Sequence, residues 1–445
     1  MHKADFGQDF HWGVATSAYQ TEGAHHTDGK GLSMWDQFSH KKGKIYNNQN
    51  ANLACDFYHR YPEDIALVKS LNIPNFRISI SWPRIFPQGR GHINPKGVDY
   101  YQKVIDTCLD MGITPWITLY HWDLPLAISQ SGGWTNRDIV GWFSEYAAQC
   151  VRFFGDRVRY WMVLNEPNIF TGAGYFLGVH APGKRWLNNY LPAIHHAALT
   201  QAEGGRVIKS LAPQAEVGTT FSCASIEPYA NTPKDIAAAQ RIDALFNQLF
   251  IDPLLGKFYP FSSLKPLQKI EKYVKAEDEK ALAFDFDFIG IQNYTREIIK
   301  YSPLIPYVQA NIVSARSRNV ATTLMGWEVY PEALYHMLKK FHGYGIKKII
   351  ITENGAAFED KVIGMRVHDE NRIHYLRSNL AQALRAKKEG VNLAGYFVWT
   401  LTDNFEWAEG YRPTFGLVHV NFKNQQRIIK DAGFWYQRFL EGGEV

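Results

Sequence analysis

Eight short runs rich in β-branched and aromatic residues recur along the chain, separated by longer stretches of helical periodicity. The runs are FHWGVAT from Phe10, NFRISISW from Asn75, TPWITLYHW from Thr114, YWMVLNEP from Tyr160, EVGTTFS from Glu216, FIGIQNYT from Phe288, KKIIITENG from Lys347 and LAGYFVWTL from Leu393. Helical stretches fall at residues 100–111, 137–154, 191–211 and 371–389, the last with apolar residues at helical spacing in IHYLRSNLAQALRA. Such alternation specifies parallel strands joined by crossover helices. Eight units predict a closed α/β architecture, a (β/α)8 TIM barrel, rather than an open sheet. No Pro/Ser-rich linker interrupts the rhythm, so residues 1–445 are expected to form a single domain. The strand-poor segment 297–330 is expected to be an elaborated loop at the C-terminal face of the strands.

In such a barrel the strands are buried on both faces, which accounts for Ile349, Ile350 and Ile351 in succession. Functional groups gather at the strands' C-terminal ends. Glu353 in ITENG and Glu166 in MVLNEPN occupy that position on the seventh and fourth runs. A lone glutamate there is equally well a helix cap. Two at one mouth suit glycoside hydrolysis, in which one carboxyl protonates the leaving oxygen while the other attacks the anomeric carbon or activates water.

Polar and aromatic companions stand at the other strand ends: Gln20 and Glu22 in ATSAYQTEG, His121 and Trp122, Asn165, Tyr294, Trp399, and Glu406 with Trp407. Arg77 lies within the second run. A guanidinium in a doubly buried strand is costly unless paired, and an ionised Glu353 is its expected partner. Metal chemistry is not expected, because His121 has no second histidine at ligand spacing. The neighbours His25-His26 and His195-His196 are expected to diverge and to be structural or surface residues.

Composition narrows the class. Four isolated cysteines form no C-x-x-C pair and read as buried free thiols. A net charge of +5 without basic blocks argues against nucleic acid. No apolar run approaches a membrane span, and no leader precedes FGQDFHWG, so a cytoplasmic enzyme is expected. Aromatic residues make up 14% of the chain, more than a barrel core needs, which points to a pocket with stacking faces.

The ordered set FHWGVATSAYQTEG, FRISISWPRIFPQG, LYHWDLP, LNEP, MGWEVYPEAL, ITENGA and GYFVWTLTDNFEWAEGY resembles glycoside hydrolase family 1, the β-glucosidase family, from Phe10 to about Tyr436. The resemblance implies a retaining, exo-acting β-glycosidase without cofactor or metal. It acts on small β-glycosides or oligosaccharides through a glycosyl-enzyme intermediate, with transglycosylation as a competing outcome. Glu166 is then the acid/base and Glu353 the nucleophile, with Arg77 and Tyr294 supporting Glu353. Their carboxyl groups would stand about 5 to 5.5 Å apart. The resemblance also implies substrate binding by Gln20, His121, Trp122, Asn165, Gln292, Trp399, Glu406, Trp407 and Phe415, with Trp327 as the leaving-group platform.

This chain departs from the family pattern at Gln292, where the family commonly has Asn, and in Thr414-Phe415-Gly416 and Arg427-Ile428-Ile429-Lys430. By the family pattern Glu406 faces the 4- and 6-hydroxyls. Its carboxylate would favour neutral glucosides, fucosides or galactosides over 6-phosphosugars. A 6-phospho-β-glucosidase and a noncatalytic sugar-binding barrel are the alternatives; intact NEP argues against the thioglucosidase branch. Oligomeric state is not readable from the sequence.

Overall fold

The computed structural model describes residues 1–444. All eight predicted runs form strands: β1 (His11–Ala15), β2 (Asn75–Ser79), β3 (Thr114–Tyr120), β4 (Tyr160–Asn165), β5 (Glu216–Ser222), β6 (Phe288–Gln292), β7 (Ile349–Asn354) and β8 (Leu393–Trp399). They pair in parallel around a closed ring, with β1 contacting both β2 and β8. Every residue of β2, β4, β6 and β7 is buried, as unalternated apolar runs require. The four predicted helical stretches lie in helices Pro95–Asp110, Ile139–Phe154, Leu187–Leu211 and Glu370–Lys388.

Aromatic rings fill the barrel interior. Trp116 stacks on Tyr160 with centroids 3.9 Å apart, and Phe397 and Phe288 meet Trp116 at 4.9 and 5.6 Å. His11 caps the pair, 5.2 Å from each ring. Gly218 makes room for this layer, since a Cβ there would lie 2.3 Å from the Phe288 ring. The same cluster runs through Met162 and Ile350 to Trp399 and Phe415.

One expectation needs correction. Segment 297–330 is not strand-poor: Arg296–Tyr301 and Ala310–Ile312 form an antiparallel pair, and Ser225–Pro228 adds to it in parallel. The β-branched pair Ile298-Ile299 within REIIKY is the signal for it, and both residues are buried. Among the described residues no helix is long and apolar enough to cross a membrane. All four cysteines are free and buried, as expected.

Candidate active site

Both candidate acids follow a break in strand register. β4 shifts against β5 between Met162 and Asn165, and β7 shifts against β6 between Ile351 and Glu353. Side chains of a regular strand alternate between faces, and an irregularity of this kind re-aims one of them. Glu166 then adopts φ 50° and ψ 62°, a left-handed conformation costing a non-glycine residue about 1–3 kcal/mol. Its N–H donates to Thr220 O at 2.9 Å. After Glu353-Asn354, a Cβ on Gly355 would lie 2.0 Å from the Trp399 carbonyl oxygen. Glycine there lets the ends of β7 and β8 approach closely, so that Glu353 and Trp399 reach the same space.

That space is a cavity of about 320 Å³, lined by both carboxyl groups and by Gln20, His121, Trp122, Tyr294, Trp327, Trp399, Glu406, Trp407 and Phe415. Its rings fall into two groups. Trp122 and Trp407 lie 4.5 Å apart, and His121 stacks with Trp399 at 6.0 Å. Tyr294, Trp327 and Phe415 form the other group, at 5.2 to 6.3 Å. Gln20 Nε2 donates to Glu406 Oε2 at 3.2 Å and to Asn404 Oδ1 at 3.1 Å, tying the first strand's loop to the last.

Arg77, Asn165 and Gln292 do not line the cavity but lie behind its wall, each fully buried. Arg77 Nη1 donates to Glu353 Oε1, and Nη2 donates to Asn165 Oδ1 at 2.5 Å. Gln292 Nε2 reaches both, at 2.7 Å from Glu353 Oε1 and 2.8 Å from Asn165 Oδ1. On the cavity side the Tyr294 hydroxyl donates to Glu353 Oε2 at 2.6 Å. The longer side chain at position 292 therefore still delivers an amide to Glu353. Asn165 bonds Arg77 and His121, and Gln292 bonds Asn165 and Glu353. Because Asn165 Oδ1 accepts from Arg77, its amide faces His121 Nε2 at 3.0 Å and donates to it. The ring proton is then on Nδ1, which is buried and has no protein partner.

Whole-chain comparison now decides the family. Residues 2–444 match the model described as glycosyl hydrolase family 1. The chain belongs to glycosyl hydrolase family 1. It is 42% identical to β-glucosidase A of Thermotoga maritima over 444 residues, covering 99% of each chain. Identity to β-glucosidase A of Acetivibrio thermocellus is also 42%, over 447 residues and 99% of each. The solved structure of the Thermotoga maritima β-glucosidase in complex with deoxynojirimycin superimposes with a TM-score of 0.94 at 42% identity, covering 98% of each chain.

The electrostatics of this family 1 site separate its acids. Burial, then the neighbouring Glu353, pushes Glu166 well above the usual carboxylate range. Burial also raises Glu353, but Arg77 and the Tyr294 hydroxyl pull it back, so Glu353 is the acid of the two that ionises first. Burial and Glu353 together lift Glu406 to about 8. Burial, with Arg77 nearby, holds His121 well below its ordinary value, so its imidazole is neutral.

Several residues fall elsewhere than expected. Glu22 lies outside the cavity, where it accepts from Arg84 Nε at 3.0 Å and from the Tyr101 hydroxyl at 2.5 Å. His25 and His26 do not diverge, their ring centroids being 4.0 Å apart. The chain turns there, with Ala24 at φ 47°, and is neither helical nor extended. His195 and His196 are structural, as expected, and both are buried: His195 bonds Tyr259 and Asp278, and His196 bonds Trp134 O. Cavity residues that sequence reasoning missed include Ile169, His180, Phe246, Glu297 and Met325. His180, Phe246, Glu297 and Met325 belong to segments outside the eight strand ends, but Ser222, also in the lining, ends β5 and was missed despite its position.

Among the described residues, Asp360, Asp403 and His419 are the group whose ligand atoms lie close enough to hold a metal. Fully buried Lys430 already bridges Asp360 Oδ2 and Asp403 Oδ1 at 2.6 and 2.7 Å. Its ammonium makes this an ion-pair network.

Proposed function

We propose that this family 1 chain is a retaining, exo-acting β-glucosidase that removes terminal non-reducing β-D-glucosyl residues, and β-fucosyl or β-galactosyl residues by the same chemistry. The observation that carries this reading is the inequality of two buried acids facing one cavity. Glu353 is held by a guanidinium, an amide and a phenol; Glu166 has no cation in contact. The names and bound inhibitor of the relatives support the substrate class.

In this mechanism Glu353 attacks the anomeric carbon while Glu166 gives its proton to the departing oxygen. Forming the ester removes the charge on Glu353. The Coulomb contribution that raised Glu166 goes with it, so Glu166 becomes able to take a proton from incoming water. An acceptor sugar entering in place of water gives transglycosylation. The Glu406 carboxyl is an acceptor for sugar hydroxyls, and negative charge on it disfavours a 6-phosphosugar. His121 and Gln20 supply polar groups to sugar hydroxyls, and Trp399 and Trp407 supply apolar faces. No metal or cofactor enters any step.

Proton NMR of the first-formed sugar tests the reading. Hydrolysis of 4-nitrophenyl β-D-glucoside is expected to release the β-anomer before mutarotation. Release of the α-anomer, or turnover confined to 6-phosphoglucosides in a survey that includes galactoside, fucoside and cellobiose, would overturn it.

A further inference from the structure

The cavity has a second polar feature that the chemistry above does not use. Glu297, on the strand Arg296–Tyr301, lines it together with Trp327, Met325, Phe246 and Ile169. Two arginines lie nearby, and other acids engage both. Arg296 donates to Glu227 at 2.9 Å and to Glu328 at 2.9 and 3.0 Å. Arg318 donates to Glu328 at 2.6 Å. Two carboxyl groups, Glu227 and Glu328, thus engage both guanidinium groups, and Glu297 has no hydrogen-bond or ion-pair partner among the described residues.

A half-buried carboxyl against apolar walls is costly until something donates to it. The surrounding groups define that donor. Trp327 offers a flat face suited to the C–H surface of a sugar ring, and Ile169, Phe246 and Met325 offer no competing donor. An aryl leaving group would satisfy the walls and leave the carboxyl unpaired. A sugar leaving group satisfies both.

We propose that Glu297 accepts a hydrogen bond from a hydroxyl of the leaving group, setting the preferred substrate class as β-linked disaccharides and oligosaccharides rather than aryl glucosides. This rests on the β-glucosidase reading above. Burial, which pushes the Glu297 carboxyl up to about 7, accords with an acceptor that gains from a ligand donor.

The test compares cellobiose with 4-nitrophenyl β-D-glucoside on the wild type and on Glu297→Met, which keeps the volume and removes the acceptor. The ratio of kcat/KM for cellobiose to that for the aryl glucoside is expected to fall about 10-fold, the scale of one charge-assisted hydrogen bond. Glu297→Gln, whose amide oxygen still accepts, is expected to show a smaller fall. An unchanged ratio in both variants would overturn the proposal, even if both rates drop. A wild type inactive on both substrates would instead overturn the β-glucosidase reading beneath it.

Discussion

Arg77 on β2 reaches Glu353 on β7 through the barrel interior, and its second terminal nitrogen holds Asn165 at the end of β4. One guanidinium thus fixes both the proposed nucleophile and the residue that precedes the proposed acid. Removing one member of a buried pair costs about 3–5 kcal/mol, largely because the other charge is stranded. Arg77→Met is therefore expected to lower the melting temperature and to cut kcat/KM by at least ~100-fold. Glu353 would lose the cation that holds it down, so the acidic limb of the pH–kcat/KM profile should move to higher pH. A limb that stays in place would contradict the pairing.

Small nucleophiles distinguish the two acids. Glu353→Gly should abolish hydrolysis, and azide should restore turnover with the glycosyl azide of inverted configuration as product. Glu166→Ala should keep a rapid first step on aryl glucosides with acidic leaving groups, and azide should there give the retained product. The configurations are read by NMR; interchange of the two would reverse the assignments.

Glu166 should also report on its neighbour's charge. Burial is the first cause of its raised pKa and Glu353 the second. In Glu353→Gln the second cause vanishes and the first stays, so Glu166 should titrate lower than in the wild type yet above an ordinary glutamate. Carbon-13 NMR of labelled glutamate carboxyls gives the comparison directly.

Glu406 carries a cost that depends on pH. Its folded pKa of about 8 lies above the ordinary 4.5, so folding favours the protonated form. The stability it contributes is fully present below about pH 4.5 and is lost as pH rises through about 8. Glu406→Gln removes that titration. Relative to the wild type, its melting temperature should rise by a few degrees at pH 9 and change little at pH 5. Differential scanning calorimetry at both pH values checks this. Affinity for sugar should fall at both.

The sequence disclosed most of the barrel because its eight strands are buried on both faces and leave continuous apolar runs. Glu166 and Glu353 were legible for a related reason, each a charge ending an apolar strand. The polar wall behind them was less so. Asn165 and Gln292 stand where substrate ligands stand in sequence, and only the side-chain geometry shows that Arg77 and Glu353 engage them first. The strand Arg296–Tyr301 was overlooked because it is short and pairs outside the ring.

The stack of Trp116 on Tyr160, walled by Phe288 and Phe397, closes the far end of the barrel beneath the cavity. Traffic through a blind chamber has an order. The aglycone stands between the bound sugar and the exit, so it departs first, and water or an acceptor follows it in. The freed monosaccharide leaves last, by the route the next chain end must take. On the proposed exo-acting reading, one unit is removed per visit.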